Sequence, residues 1–293
     1  MRMVLSCALL LYSCSAFAGQ SLLLWPDREA PYAKAAEDLE HVDPDCWGGV
    51  PCARQVTTPT LTLYAADPPS RQWLLIAPGG GYESVAIAHE GAAIAQAFAA
   101  RGISAAVLKY RIPDPRTATH PERVPLADLH RAMALLRAQQ RAAGVAGQIG
   151  VVGFSAGGHL AAFAMVNPHV DAALNPDFAL LIYGVSEFTA ANEQWLEESL
   201  YYRPLSAAER AREQILERVR PDTPPAFLVH ALDDTVTPVT ESTRFAEALT
   251  AAGVPAEVHL FATGGHGFGA GLDRDGTSQW LDLATDWIRR RAR

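Results

Sequence analysis

Residues 153–157, Gly-Phe-Ser-Ala-Gly, are the feature that most constrains how this chain can fold. They follow an apolar run at 148–152 that predicts a buried strand, and they precede a small-residue stretch at 158–164 that predicts a helix. A turn that joins these two elements directly strains the backbone of Ser155 and leaves no space for a Cβ atom on either side, which explains the flanking glycines. This geometry lifts Ser155 Oγ clear of the strand. We therefore predict an exposed, nucleophilic serine at the carboxyl end of a buried strand.

Apolar runs alternate with helical patterns from about residue 58 onward. The predicted strands are 61–65, 73–77, 104–109, 149–153, 178–183, 226–231 and 256–261, and the predicted helices are 86–101, 126–142, 157–167, 207–218, 241–252 and 278–290. Nearly continuous apolar strands separated by amphipathic helices are typical of a mostly parallel sheet with helices on both faces. We therefore predict an α/β domain over residues 58–293, with a short lid-like insertion at 186–225.

The composition argues against several classes of partner. The chain has 293 residues and a formal net charge of −8, and its basic residues form a run only at 289–293. A basic run at the end of a helix complements the helix dipole, so we expect neither a nucleic-acid partner nor an anionic membrane partner. Hydrophobic residues make up 49% of the chain, which is enough for a sizeable core.

Residues 1–18 have the pattern of a secretory signal peptide. Arg2 precedes an apolar stretch at 4–11, and Ala-Phe-Ala at 16–18 provides a cleavage site. The apolar stretch is too short to span a bilayer. A lipoprotein signal that ends at Cys14 is the alternative, although the bulky tyrosine two residues earlier suits that motif poorly. We expect an exported protein, either periplasmic or secreted.

Residues 19–57 are polar and rich in proline, so we expect an irregular N-terminal extension that wraps the domain. Cys46 and Cys52 are the cysteines that remain after the leader, and they lie close together in a loop that contains glycine and proline. In an exported protein such a pair favours a disulfide that closes a small loop, with two free thiols as the alternative. No histidine or further cysteine lies at ligand spacing, so we expect no metal site.

A hydrolytic serine needs a base that takes its proton and an acid that orients this base. The predicted strand at 226–231 is followed by Asp234, and the predicted strand at 256–261 is followed by a glycine-rich loop that contains His266. The carboxyl ends of parallel strands meet at one edge of a sheet. We therefore expect Ser155, Asp234 and His266 to come together as a catalytic triad.

Two neighbouring aspartates compete for the orienting role. Asp234 lies four residues before Pro238, the spacing that we expect for the turn after this strand. We therefore favour Asp234, and we expect Asp233 to cap the following turn or to face solvent.

The loop that follows the predicted strand at 73–77 is Pro-Gly-Gly-Gly-Tyr at 78–82. Three glycines leave backbone N–H groups uncovered and permit the φ values that aim these groups at a ligand. We predict an oxyanion hole made of the N–H group of Ala156 and that of Gly80 or Gly81. A phosphate-binding loop is not expected, because no Lys-Ser/Thr pair follows the glycines.

Several short blocks occur in a fixed order between about residues 73 and 287. They are Pro-Gly-Gly-Gly-Tyr at 78–82, His-Glu-Gly at 89–91, Leu-Lys-Tyr-Arg at 108–111, Pro-Leu-Ala-Asp at 125–128, Gly-Phe-Ser-Ala-Gly-Gly-His at 153–159, Asp233-Asp234 with Pro238, and Gly-Gly-His-Gly-Phe at 264–268. Together these blocks resemble a family of exported bacterial α/β-hydrolases related to the acetylxylan esterases and, more distantly, to the hormone-sensitive-lipase group. The resemblance implies an α/β-hydrolase fold and a serine esterase that removes acetyl groups from carbohydrate. The segment at 186–225 departs from the usual form of the family.

The expected reaction is a two-step ester hydrolysis through an acyl-enzyme, which needs neither a metal nor an organic cofactor. We expect the substrate to be a small-molecule, oligosaccharide or polysaccharide ester, with Tyr82 in contact with it. Two other enzyme activities are alternatives. One is a serine peptidase of the prolyl-oligopeptidase type, which shares the order Ser-Asp-His, and the other is a short-chain carboxylesterase that does not act on carbohydrate. A secreted binding protein on this scaffold would be expected to lack a member of the triad.

Overall fold

A computed structural model of the chain describes residues 19–26, 30–47, 49–68 and 70–291. The strands are β1 (Gln20–Leu23), β2 (His41–Asp43), β3 (Cys52–Arg54), β4 (Thr60–Tyr64), β5 (Trp73–Ala77), β6 (Ser84–Val85), β7 (Ser104–Lys109), β8 (Ile149–Phe154), β9 (Phe178–Ile182), β10 (Ala226–Ala231) and β11 (Ala256–Phe261). The α-helices are α1 (Ala93–Ala100), α2 (Val124–Ala142), α3 (Ser155–Val166), α4 (Ala190–Leu196), α5 (Ala207–Glu213), α6 (Thr240–Ala251) and α7 (Trp280–Arg291). Each predicted strand is present to within one residue at either end.

The central sheet has eight strands in the order β1-β4-β7-β5-β8-β9-β10-β11. From β7 to β11 along this order every neighbouring pair is parallel, whereas β4 pairs antiparallel with both β1 and β7. The predicted mostly parallel sheet is therefore confirmed. Because the carboxyl ends of β5, β8, β10 and β11 lie along one edge, the loops that follow these strands are brought side by side.

Helices cover the sheet on both faces, as predicted. Apolar residues of α2, α3 and α6 form one core cluster with one face of the strands, and those of α1 and α7 form a second cluster with the other face. The two clusters take alternate residues of β8: Ile149 and Val151 belong to the first, Val152 and Phe154 to the second. This alternation within a fully apolar strand follows from the two-residue period of a strand that is buried on both faces.

The N-terminal extension is more regular than the sequence suggested. β1 pairs with β4 at the edge of the central sheet, and β2, β3 and β6 form a separate three-stranded antiparallel sheet. These strands are short, and β1 and β2 are largely exposed, so they lack the apolar runs that identify a buried strand. The predicted disulfide between Cys46 and Cys52 is present and closes the turn between β2 and β3.

The segment at 186–225 is folded as helices. It contains α4, which the sequence did not predict, a π-helical turn at Glu197–Tyr201, α5 and a 3-10 turn at Leu216–Arg218. The predicted signal peptide at 1–18, including Cys14, lies outside the described residues. Within residues 19–26, 30–47, 49–68 and 70–291, none of the helices combines the length and the apolar character that crossing a membrane requires.

A buried ion pair joins the end of β7 to α2. The Asp128 carboxylate accepts hydrogen bonds from Arg111 Nη2 at 2.7 Å and from the Arg111 backbone N–H at 2.9 Å. Trp25 Nε1 of the N-terminal extension donates to the same carboxylate at 2.9 Å. Asp128 is fully buried and Arg111 is 5% exposed. Two of the blocks that carry the family resemblance therefore meet in a structural contact, which also anchors the extension.

We predict that Asp128→Ala lowers the free energy of unfolding by about 3–5 kcal/mol, because the buried Arg111 guanidinium then lacks its counter-ion. The matched control is Asp282→Ala, since Asp282 forms an exposed ion pair with Arg101 at 2.7 Å. That variant is expected to lose about 0–1 kcal/mol. Urea unfolding measures both values, and equal losses in the two variants would contradict a structural role for the buried pair.

Candidate active site

Ser155 lies at the junction of β8 and α3 with a φ of +49°, a value that few side-chain-bearing residues adopt. A Cβ at Gly157 would lie 2.1 Å from the carbonyl oxygen of Ala77, and one at Gly153 would lie 2.4 Å from that of Gly157. Backbone atoms cannot move aside as a flexible side chain can. The tight turn predicted around the serine is thus observed, and both glycines are sterically required.

The structure brings the three residues of the predicted triad into contact. His266 Nε2 lies 2.9 Å from Ser155 Oγ, and His266 Nδ1 lies 2.8 Å from Asp234 Oδ2. The competing Asp233 instead accepts the backbone N–H of Gly265 at 2.8 Å. The geometry therefore favours Asp234 as the residue that orients the imidazole, as the sequence did.

The buried Asp234 carboxylate accepts several hydrogen bonds, two of them from its own turn. Oδ1 accepts the backbone N–H groups of Val236 at 2.8 Å and Thr237 at 2.9 Å, and Oδ2 lies 3.3 Å from His230 Nε2. Burial alone would raise the pKa of the Asp234 carboxyl, but the hydrogen bonds from His230 and His266 outweigh it. The pKa therefore lies well below its usual range. The carboxylate stays charged and can stabilise a protonated His266.

Backbone N–H groups lie close to the serine on the loop after β5. Gly80 and Gly81 have φ values of +125° and +67°, and their N–H groups donate to no other group among the described residues. The N–H group of Gly79 is occupied, since it donates to Glu90 Oε2 at 2.7 Å. Ala156 lies in the first turn of α3, where N–H groups have no partner within the helix. The three amides predicted for the oxyanion hole are thus available to a ligand.

A second buried carboxylate, that of Glu90, links the glycine loop after β5 to the loop that carries His266. Tyr183 Oη donates to Glu90 Oε1 at 2.8 Å and accepts the backbone N–H of Gly269 at 3.0 Å. Burial and the negative charge of Glu90 raise the pKa of Tyr183 well above its usual value, so the phenol stays protonated. Its ring also lies edge-on to His266, with 4.9 Å between ring centroids. The sequence placed Glu90 in a family block but indicated no role for it.

Ser155 and His266 open into a cleft of about 620 Å³. One wall comes from the N-terminal extension, through Trp47, Val50 and Arg54, and other lining residues include His89 and Trp195. Sequence reasoning did not identify the residues of the extension as part of a site. The available signal was a tryptophan between two cysteines of a small disulfide loop, a position where an apolar side chain has little opportunity to be buried.

The structure corrects the role that we expected for Tyr82. Its side chain is 1% exposed and does not line the cleft. The ring instead stacks on Trp195, with 5.5 Å between centroids, and Tyr82 Oη lies 2.9 Å from His159 Nδ1. His159 Nε2 in turn lies 3.1 Å from Glu213 Oε2 of α5. Tyr82 is thus buried beneath α4, a helix that the sequence did not predict, and it supports a cleft residue rather than contacting the cleft.

The sheet order, the strained serine and the site at the carboxyl ends of the strands define an α/β-hydrolase. The structure is similar to that of an acetyl ester-xyloside bifunctional hydrolase from Caldicellulosiruptor lactoaceticus, with a TM-score of 0.73 and 30% sequence identity over 93% of this chain and 96% of that one. Residues 116–293 match the prolyl oligopeptidase family. The chain belongs to this family.

Two curated relatives are also similar in sequence. An acetylxylan esterase of Xylanibacter ruminicola is 26% identical over 78% of this chain and 48% of its own length. Endo-1,4-beta-xylanase B of Butyrivibrio fibrisolvens is 31% identical over 71% of this chain and 34% of its own length. The chain thus spans about half of one relative and a third of the other. The predicted resemblance to acetylxylan-esterase-related α/β-hydrolases, and with it membership of this superfamily of enzymes, is confirmed.

We predict that Tyr82→Phe lowers the free energy of unfolding by about 1–3 kcal/mol, because it leaves a buried nitrogen of His159 without its partner. The control is Tyr202→Phe, which removes the same hydroxyl from a side chain that is 43% exposed. This variant should change the stability by less than about 0.5 kcal/mol. Chemical denaturation of both variants tests the structural role, and a Tyr82→Phe variant as stable as the control would refute it.

Proposed function

We propose that the protein hydrolyses carboxylic esters and that its substrates are acetyl esters of carbohydrate. The observation that carries the proposal is the series of contacts from Ser155 Oγ through His266 to Asp234, beside the uncommitted amides of Gly80 and Gly81. A nucleophile, a base and donors for a developing oxyanion are the components that acyl transfer requires. The names of the Xylanibacter ruminicola and Caldicellulosiruptor lactoaceticus relatives support acetylated xylan or its fragments as the substrate class.

In the first step, His266 Nε2 takes the proton of Ser155 as Oγ attacks the ester carbonyl. Asp234 holds Nδ1 of the imidazole in its protonated tautomer and stabilises the imidazolium. The N–H groups of Ala156 and of Gly80 or Gly81 donate to the oxyanion, each worth about 2.7–4 kcal/mol in comparable sites. The alcohol then leaves with the proton from His266.

In the second step, a water molecule attacks the acyl-enzyme and His266 again serves as the base. The tetrahedral intermediate collapses, the acid is released and Ser155 Oγ recovers its proton. The residues named here supply every proton transfer and every charge stabilisation of the cycle, so the proposal includes no cofactor.

Export is part of the proposal. The disulfide between Cys46 and Cys52 supports it, because such bonds persist in oxidising compartments such as the periplasm or the extracellular space.

The membership of the prolyl oligopeptidase family favours one alternative, a serine peptidase that uses the same residues on an amide. A short-chain carboxylesterase that does not act on carbohydrate is the other. Steady-state rates with an acetylated xylo-oligosaccharide, p-nitrophenyl acetate and a peptide p-nitroanilide separate the three. The proposal expects turnover of both acetates and none of the anilide. Turnover of the anilide alone supports the peptidase, and turnover of p-nitrophenyl acetate alone supports the carboxylesterase.

We predict that Ser155→Ala lowers kcat for p-nitrophenyl acetate by about 10⁴- to 10⁶-fold, because the nucleophile is lost while the amides remain. The circular-dichroism spectrum should be unchanged, since the methyl group of alanine fits where the serine side chain lies. Retention of more than a tenth of the wild-type rate by the folded variant would exclude Ser155 as the nucleophile.

We predict that Asp234→Asn lowers kcat by about 10⁴-fold, because an amide that donates to Nδ1 selects the wrong imidazole tautomer. Asp233→Asn is the matched control, since Asp233 is adjacent but contacts Gly265 rather than the imidazole. We expect it to lose less than about tenfold. A larger loss in Asp233→Asn than in Asp234→Asn would reverse the two assignments.

A further inference from the structure

The disulfide hairpin (described residues 41–47 and 49–54) is attached to the loop that carries the proposed oxyanion amides. Its two strands, β2 and β3, are joined by a tip that the Cys46–Cys52 bond closes, and Cys46 N–H donates to the carbonyl of Val50 at 2.9 Å. β3 also pairs with β6, with Arg54 opposite Ser84. Ser84 N–H in turn donates to the carbonyl of Gly80 at 3.0 Å. Backbone hydrogen bonds therefore connect the hairpin to the glycine loop beside Ser155.

Trp47, at the tip of the disulfide hairpin, presents a large apolar surface to the cleft. Its side chain is 46% exposed and lines the same cleft as Ser155. Among the described residues the indole lies edge-on to the ring of His89, with 6.1 Å between centroids. An indole left uncovered in the wall of a cleft indicates a surface that a ligand covers.

Polar groups border this indole. His89 Nδ1 is buried and has no hydrogen-bond partner among the described residues. Arg54 and Glu83 also line the cleft. A flat apolar face surrounded by donors and acceptors matches the chemistry of a pyranose, which has an apolar C–H face and a rim of hydroxyl groups. An alkyl chain offers no hydrogen-bond partner to the polar side chains of this wall, whereas a sugar does.

We infer that the disulfide hairpin forms the binding site for the alcohol half of the ester, with the Trp47 indole packed against the pyranose ring that carries the acyl group. This inference rests on the proposed function, because it assigns a part of the same cleft. It narrows the proposed substrates to acetylated pyranosides, whose sugar ring extends from Ser155 to the hairpin. The tethering disulfide then serves to place the indole.

The deciding experiment compares two acetyl esters on one set of variants. An acetylated xylo-oligosaccharide has a pyranose for the hairpin, whereas p-nitrophenyl acetate has none. We expect Trp47→Ala to lower kcat/KM for the oligosaccharide by about tenfold or more through a higher KM. The kcat/KM for p-nitrophenyl acetate should change by less than about twofold, because the reacting groups are untouched. Trp47→Phe keeps an aromatic face and should retain most of the activity on the oligosaccharide.

Two further variants test how specific this role is. Leu23→Ala shortens a side chain of β1 that is 51% exposed and lies outside the disulfide hairpin, and it should leave both substrates unchanged. The double variant Cys46→Ser/Cys52→Ser releases the tip and should reproduce the selective loss seen with Trp47→Ala.

The inference is tested by the ratio of kcat/KM for the oligosaccharide to kcat/KM for p-nitrophenyl acetate in each variant. If Trp47→Ala changes both substrates by the same factor, or neither, the hairpin does not bind the sugar and the inference is wrong while the esterase activity stands. If the wild-type protein hydrolyses neither acetate, the proposed function fails and the inference fails with it.

Discussion

The close approach of α3 to the end of β5 is the contact on which the site depends. The Cα of Gly157 lies so near the chain of β5 that a Cβ atom would come within 2.1 Å of the Ala77 carbonyl oxygen and 2.5 Å of that of Pro78. Because β5 and β8 are neighbours in the sheet, this packing places Ser155 directly beside the glycines that follow β5. The positions of Ser155 and of the glycine amides after β5 are thus set by contacts between backbone atoms.

Two buried carboxylates extend this rigidity to the loops after the other strands. Asp234 accepts the N–H groups of its own turn and contacts His266 across the sheet edge. Glu90 joins Gly79 to Tyr183, which reaches the histidine loop. The hydrogen-bond donors around each carboxylate offset the cost of removing that group from water. This preorganisation favours the proposed acyl transfer, because few groups need to move when charge develops on the carbonyl oxygen. The proposal assigns selectivity between esters and amides, or between alcohols, to the cleft walls and not to the triad.

Much of this fold could be predicted from the sequence, because the buried strands are apolar runs with glycine-rich or acidic loops at their carboxyl ends. The convergence of Ser155, Asp234 and His266 follows from that order alone. The sequence did not predict β1 to β3 because these strands have only three or four residues, and β1 and β2 lie at sheet edges. The place of Trp47 in the cleft wall depends on the pairing of β3 with β6, a long-range contact that no local pattern encodes. The prediction that Tyr82 contacts the substrate was wrong for two reasons. The residue that follows a glycine loop can point to either side of it, and the sequence did not predict α4, the helix that buries Tyr82.

The central claim is that one serine hydroxyl, activated by His266, performs acyl transfer. Labelling with a fluorophosphonate tests it most directly, because this reagent reacts with an activated serine and mimics the tetrahedral intermediate. Mass spectrometry of the digested protein should find one label per chain, on the peptide that contains Ser155, and heat denaturation before labelling should abolish it. A native protein that stays unlabelled, or that carries its label on another residue, would contradict the account.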